Sequence, residues 1–248
     1  MTPRWLTAFL DFAPGDHDAG VAHWEAVTDY RRSASRGAAD EFATLVPPDG
    51  DAFLRVQRLG AGPGRLHLDV HVDDPLVAVD EATALGATVL AGHPTYVVLR
   101  SPGGFTFCLV SHPAAVRPAP ASWPGGGTSL VDQVCLDIPA SRFDGETAFW
   151  QALTGWELGR SAVRTEFANL RRPPEQPLRL LLQRLDESDG TVSGHLDLAT
   201  SDRAAETERH VALGAELVAR FAHWTVLRDP VGTTYCLTDR SPETGMLP

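Results

Sequence analysis

His67-Leu68-Asp69-Val70-His71 opens a stretch, residues 67–110, that the chain repeats 128 positions later from His195-Leu196-Asp197-Leu198-Ala199. Without a gap the two stretches agree at 17 of 44 positions, where average residue usage gives about three by chance. Ala84-Leu85-Gly86-Ala87 returns as Ala212-Leu213-Gly214-Ala215, and Val98-Leu99-Arg100 as Val226-Leu227-Arg228. Pro102, Gly104, Cys108 and Leu109 return as Pro230, Gly232, Cys236 and Leu237. Upstream the offset becomes 126, pairing Trp24 with Trp150 and Gln57-Arg58-Leu59 with Gln183-Arg184-Leu185. The chain is therefore a duplication. Residues 1–112 form one expected domain and residues 130–248 the other. Residues 113–129, with Pro113, Pro118, Pro120, Pro124 and Gly125-Gly126-Gly127, read as a Pro/Gly-rich linker.

Each half carries the same local signals. A strand (6–12; 131–138) leads into a helix holding Trp24 or Trp150, and short strands follow at 41–46 and 53–59, or 164–170 and 178–185. A second round begins with strand 66–72 and helix 75–85, whose Gly86 is a fitting C-terminal stop. Strands near 87–91, 95–100 and 105–110 complete it, with Ser101-Pro102-Gly103-Gly104 and Asp229-Pro230-Val231-Gly232 as turn chemistry. The reading is an α+β fold of four βαβββ units, two in each half.

Composition excludes several function classes. The 21 basic residues against 32 acidic ones give a net charge of −11, spread without a basic cluster, so nucleic acid is not an expected partner. Every basic residue is Arg, which removes Schiff-base chemistry and the phosphate-binding loop ending in Gly-Lys. No apolar run approaches the ~18 residues of a membrane span, so no membrane partner is expected. The three cysteines show no pairing pattern, and Met1-Thr2-Pro3-Arg4-Trp5-Leu6 has no long apolar core; the cytoplasm is the expected address.

The unit order, His-x-Asp, Ala-Leu-Gly-Ala and Arg-(Ser/Asp)-Pro-x-Gly-x-x-(Phe/Tyr)-Cys-Leu together resemble the vicinal oxygen chelate superfamily of glyoxalases, bleomycin-resistance proteins and extradiol dioxygenases. The likeness is greatest to its glyoxalase-like branch and covers roughly residues 5–110 and 130–240. It implies cup-shaped mixed sheets with a ligand inside. Strand alternation turns Leu66, Leu68, Val70 and Val72 to the helices, and His67, Asp69 and His71 into the concavity. Cys108 and Cys236 share that polar side. His195 and Asp197 repeat the first pair, while Ala199 replaces His71. Tyr96 and Trp224 correspond, and are candidate aromatic ligand contacts if their strand faces the cup.

The resemblance also implies a metal site: His or Gln on the first strand, His on the fifth, and Glu on the fourth and eighth. Carried over one by one, the fifth-strand positions hold His67 and His195, and the eighth-strand positions hold Cys108 and Cys236. The first-strand positions hold Thr7 and Gln133, and the fourth-strand position falls near Gln57 and Gln183. With both carboxylates replaced, no bound catalytic ion or other cofactor is expected, and Gln133, His195 and Cys236 with an ionised thiol are the alternative, a zinc site. His67 and Asp69 lie ~6.6 Å apart along their strand, beyond the reach expected of an acid–base pair, which favours structural contacts. His71, present only in the first half, is the candidate for a role specific to that cup. The favoured function is binding of a small organic ligand in a β-cup by Gln133, His67, Asp69, His71, Tyr96, Cys108, His195, Asp197, Trp224 and Cys236. The alternatives are a metal-dependent lyase, isomerase or dioxygenase, or a metal-free enzyme with a cup histidine as general base. Because each half holds two units, a monomer is feasible and a homodimer possible.

Overall fold

The computed structural model describes residues 3–161 and 163–247. The first half runs β1 (Trp5–Phe12), α1 (His17–Thr28), β2 (Arg31–Arg32), β3 (Phe42–Val46), β4 (Leu54–Arg58). Its second unit runs β5 (Arg65–His71), α2 (Pro75–Ala84), β6 (Thr88–Gly92), β7 (Tyr96–Arg100) and β8 (Thr106–Val110). A short β9 (Ala121–Ser122) lies in the Pro/Gly-rich stretch and pairs with the start of β10 (Thr128–Ile138). Then follow α3 (Phe143–Thr154), β11 (Glu157–Arg160), β12 (Phe167–Arg171) and β13 (Arg179–Arg184). The last unit is β14 (Ser193–Thr200), α4 (Arg203–Ala212), β15 (Glu216–Arg220), β16 (Trp224–Arg228) and β17 (Thr234–Thr238).

Local chemistry accounts for the repeated unit. The Asp74 carboxylate accepts the amides of Leu76 and Val77 at the start of α2, with Pro75 pre-set for the first turn. Asp202 does the same for Ala205 at the start of α4. Gly86 and Gly214 follow these helices with φ of 104° and 96°, a left-handed conformation that favours glycine. Each copy even carries the same register shift, between Val89 and Ala91 and between Leu217 and Ala219.

Two mixed sheets result, ordered β2-β3-β4-β1-β5-β8-β7-β6 and β11-β12-β13-β10-β14-β17-β16-β15. The hairpin strands β2·β3·β4, β6·β7·β8, β11·β12·β13 and β15·β16·β17 pair antiparallel, whereas β5·β8 and β14·β17 are parallel. No helix among the described residues is long and apolar enough to cross a membrane.

By its contacts the chain also falls into two compact units that cut across the sequence repeat. One takes the chain up to Phe9, Leu66–Val116 and Val134–Gly194; the other takes Leu10–Arg65, Arg117–Gln133 and the chain from His195. Each unit thus joins a helix from one sequence half to a strand from the other. In the first unit α3 lays Phe149 and Trp150 on Phe107 of β8, ring centroids 5.8 and 5.4 Å away. Glu146 bridges its own helix to the turn before β8, accepting the Trp150 indole N–H at 2.8 Å and the Gly103 amide at 2.6 Å. A Cβ on Gly103 would meet Val192 at 2.4 Å and Glu146 at 2.5 Å, so the close approach requires glycine.

In the second unit α1 lays Trp24 on Tyr235 of β17, 5.2 Å between centroids, and the indole donates to Asp229 at 3.1 Å. Tyr235 Oη is hydrogen-bonded to His210 Nδ1 at 2.9 Å and to His23 Nε2 at 3.3 Å. His210 Nε2 lies 3.2 Å from Glu206 Oε1, and Arg209 clasps Glu206 while donating to the carbonyls of Ala26 and Val27. All three rings and Glu206 are buried. Tyr235, His23 and His210 stand at the repeat positions of Phe107, Phe149 and Ala82.

Candidate functional site

Parallel pairing assembles the same three donor types twice. On β5 and β8, Asp69 stands beside Cys108; on β14 and β17, Asp197 stands beside Cys236. Adjacent strands are ~4.8 Å apart, so such neighbours share a face and nearly touch. With His67 and His195 two residues earlier, one potential ligand atom from each of His67, Asp69 and Cys108 lies within 4.8 Å of the others. The same holds for His195, Asp197 and Cys236. The expected separation of histidine and aspartate is corrected by the side chains, which lean along the strand towards each other. His67 Nε2 lies 3.8 Å from Asp69 Oδ1, and His195 Nε2 lies 3.4 Å from Asp197 Oδ1. A carboxylate therefore does stand beside each imidazole, although the last strands carry thiols.

The surroundings of the two clusters differ. In the first half the Phe9 ring stacks on His67, centroids 4.5 Å apart and planes 12° from parallel. His71 is anchored: its Nδ1 lies 3.2 Å from the His112 carbonyl and its Nε2 lies 2.9 Å from Thr7 Oγ1. A carbonyl only accepts, so Nδ1 carries a proton. His71, the residue expected to act in the first cup alone, is thus held in place from both ring nitrogens.

In the second half Gln133 of β10 turns its amide N–H₂ to Asp197 Oδ2. Arg240, just past β17, makes a two-pronged ion pair with buried Asp132, its Nε at 3.2 Å from Oδ2. Its Nη1 lies 3.9 Å from Asp197 Oδ2. Oδ1 is buried, lies 3.4 Å from His195 Nε2 and meets no hydrogen-bond partner among the described residues. Burial pushes the Asp197 carboxyl up, but His195, Arg240 and Gln133 outweigh it and hold the pKa below the ordinary carboxylate value. Asp197 is thus an anion at neutral pH. The His195 side chain is 13% exposed against 8% for His67, while Asp197 and Cys236 are as buried as Asp69 and Cys108.

Register decides the faces of the two candidate aromatics. Tyr96 lies opposite Val110, with Val98 opposite Cys108; Trp224 lies opposite Thr238, with Val226 opposite Cys236. Directly opposed residues in an antiparallel pair share a face, so Tyr96 and Trp224 lie on the cysteine side of their sheets. Each is stacked on a ring from its own hairpin: Tyr96 on His93 at 4.2 Å, Trp224 on Phe221 at 4.6 Å. Arg240 and Asp132 were not singled out from sequence, since a lone arginine after a strand carries no local signal. Gln183, placed near the fourth-strand ligand position, instead stands 3.5 Å from the Cys135 thiol.

The glyoxalase-like domain model matches residues 7–110 and again 133–238, and the chain belongs to that family, within the vicinal oxygen chelate superfamily. Among solved structures, a triple mutant of 4-hydroxymandelate synthase from Streptomyces coelicolor is similar over 96% of this chain and 93% of its own, with TM-score 0.62 and 16% identity. The Mn(II)-bound glyoxalase from Novosphingobium aromaticivorans is similar over 99% and 83%, with TM-score 0.63 and 16% identity. For 2,2',3-trihydroxybiphenyl 1,2-dioxygenase from Sphingomonas wittichii RW1 the figures are 96%, 90%, 0.62 and 14%. At these identities the likeness establishes the fold. No curated protein sequence matches.

Proposed function

We propose that this chain binds a small organic molecule, and that the cup of the second half is its site. One observation carries the reading: the second cup leaves over what the first consumes. Phe9 covers His67 and Thr7 engages His71, whereas His195 stays partly open and Asp197 Oδ1 has no hydrogen bond from a described residue. A buried anionic oxygen without a donor is costly, and a ligand hydroxyl or amine would relieve it. Trp224, on the same face as Cys236, supplies an aromatic surface for an apolar ligand body. The last-strand glutamate of the superfamily's metal site is replaced by Cys236, so ligand recognition does not require that site.

A metal-assisted lyase, isomerase or dioxygenase is the second reading, favoured by the three donor atoms gathered around His195. Native mass spectrometry of protein purified without a tag tests the first. A co-purified adduct that disappears in Trp224→Ala and persists in Tyr96→Ala supports binding in the second cup. The reverse pattern, or no adduct after exposure to a library of aromatic alcohols and amines, overturns it.

A further inference from the structure

We propose that the second compact unit carries an acid-sensitive latch, a chain of buried polar groups that releases the His23 face of α1 from α4 and β17 at low pH while the sheet stays folded.

The chain begins at the hairpin between β9 and β10. There the Trp123 indole N–H donates to Ser129 Oγ at 2.8 Å, and the Arg209 guanidinium lies 3.4 Å from the indole centroid. Arg209 grips Glu206 and donates to the carbonyls of Ala26 and Val27 in the last turn of α1. From Glu206 the contacts run through His210 and Tyr235 Oη to His23, on α1 beside Trp24. A cavity of about 230 Å³ meets the hairpin end of this chain, with Trp123, Gly125, Glu206 and Arg209 in its walls. Solvent thus has a path to the acidic end, while His210, Tyr235 and His23 lie buried behind it.

Hydrogen-bond arithmetic makes the chain sensitive to protons. A hydroxyl has one hydrogen to give. With both imidazoles neutral, Tyr235 donates to one and accepts from the other. With both charged, His210 Nδ1 and His23 Nε2 are both donors, and the buried tyrosine hydrogen finds no acceptor between them. Charge acts in the same direction. The two imidazoles, 6.4 Å apart between centroids, face each other, Tyr235, Arg209, Glu206 and Asp229. Protonating both sets three cations against two carboxylates. Burial lowers the pKa of both histidines and Arg209 adds to it; Asp229 and the Leu213 backbone oppose at His23, and Glu206 opposes at His210. Released, each imidazole regains its ordinary 6.5, so release takes up protons and is favoured as pH falls below about 6.5.

What the latch holds is one face of a helix. On that face α1 is tied by His23, by the Trp24 indole on Asp229 and by the two carbonyls under Arg209. β17, in contrast, is also paired along its length with β14 and β16. The sister seal, Phe149 on Phe107, offers acid nothing to charge at these positions.

Hydrogen exchange of indole N–H groups, followed by NMR on the full chain with ¹⁵N-labelled tryptophan, tests this. The Trp24 indole donates to Asp229 and the Trp150 indole to Glu146, so the two report the two seals separately. Rates are divided by the intrinsic chemical rate at each pH. Between pH 7.5 and pH 5.5 Trp24 is expected to lose protection while Trp150 keeps it. In His23→Phe and in His23→Gln, which keeps a polar group for Tyr235 but cannot be charged, the Trp24 response is expected to shrink. Unchanged Trp24 protection, or joint loss at Trp24 and Trp150, overturns the proposal from the unmodified chain alone, whether or not a variant folds. So does a response undiminished in either folded variant.

Discussion

Position for position, the two copies set different chemistry on one frame. Where the first sequence half has Phe9, Phe107 and Ala82, the second has Cys135, Tyr235 and His210; where α3 has Phe149, α1 has His23. The unit built around Phe107 is sealed by rings 5.4–6.0 Å apart, with Glu146 tying the helix to its turn. The unit built around Tyr235 is sealed by a buried chain from Glu206 through His210 and Tyr235 to His23. On the cysteine side of the sheets the contrast recurs, with Phe9 over His67 in one copy and Gln133 and Arg240 holding Asp197 in the other. The residues that specify strands, turns and helix ends were kept in both copies. Divergence fell on side chains that face inward, where a swap changes chemistry without changing the backbone path.

The largest effect that breaks this symmetry is loss of an apolar seal. Phe107→Ala is expected to cost ~3–5 kcal/mol in urea denaturation, because a fully buried ring is replaced by a cavity. Exchanging the copies is gentler. Tyr235→Phe removes the group shared by His210 and His23 and is expected to cost ~1–3 kcal/mol. The mirror change, Phe107→Tyr, gains nothing, since the rings around it, Phe149 and Trp150, offer no acceptor at the ring edge comparable to His210. A more stable Phe107→Tyr variant would show that the contrast is incidental.

The smallest effect is set by acid. Burial lowers the pKa of both His23 and His210 below the ordinary 6.5, with Asp229 opposing at His23 and Glu206 opposing at His210. Arg209 adds to the lowering of both, and Tyr235 is held protonated by burial. Glu206, despite its own burial, is drawn down to about 2 by Arg209 and His210 and stays ionised. A histidine with a depressed folded pKa binds fewer protons folded than unfolded, so its contribution is intact above 6.5 and is lost as pH falls. Urea midpoints are expected to decline as pH falls below about 6.5, and His23→Phe, the residue of the other copy, should flatten that slope. An unchanged slope in the variant would remove His23 from the account.

Much of this frame was legible in the chain. The repeat of His67-Leu68-Asp69, the helix positions of Trp24 and Trp150 and the turns at Pro102 and Pro230 read correctly, because spacing and turn chemistry are local. The two-residue strands β2 and β9 carry too little pattern to be seen. The separation of His67 and Asp69 was read from strand rise, which does not see that the side chains lean together to 3.8 Å. Gln133, read as a ligand candidate, turns its N–H₂ to Asp197, and no sequence pattern says which end of an amide faces inward.

From the chain alone come a twice-built α+β frame and, in each copy, a histidine, an aspartate and a cysteine on one face of a sheet. Those assignments follow from periodicity and from matching copies. Folding settles which histidine is stacked under a ring and which carboxylate is held from one side. That outcome rests on partners such as Thr7 with His71, and Gln133 with Asp197, each pair 64 residues apart. At that separation nothing local constrains the contact; the folded backbone brings the groups together, and the size and polarity of each neighbour then decide whether a donor atom is consumed or remains available.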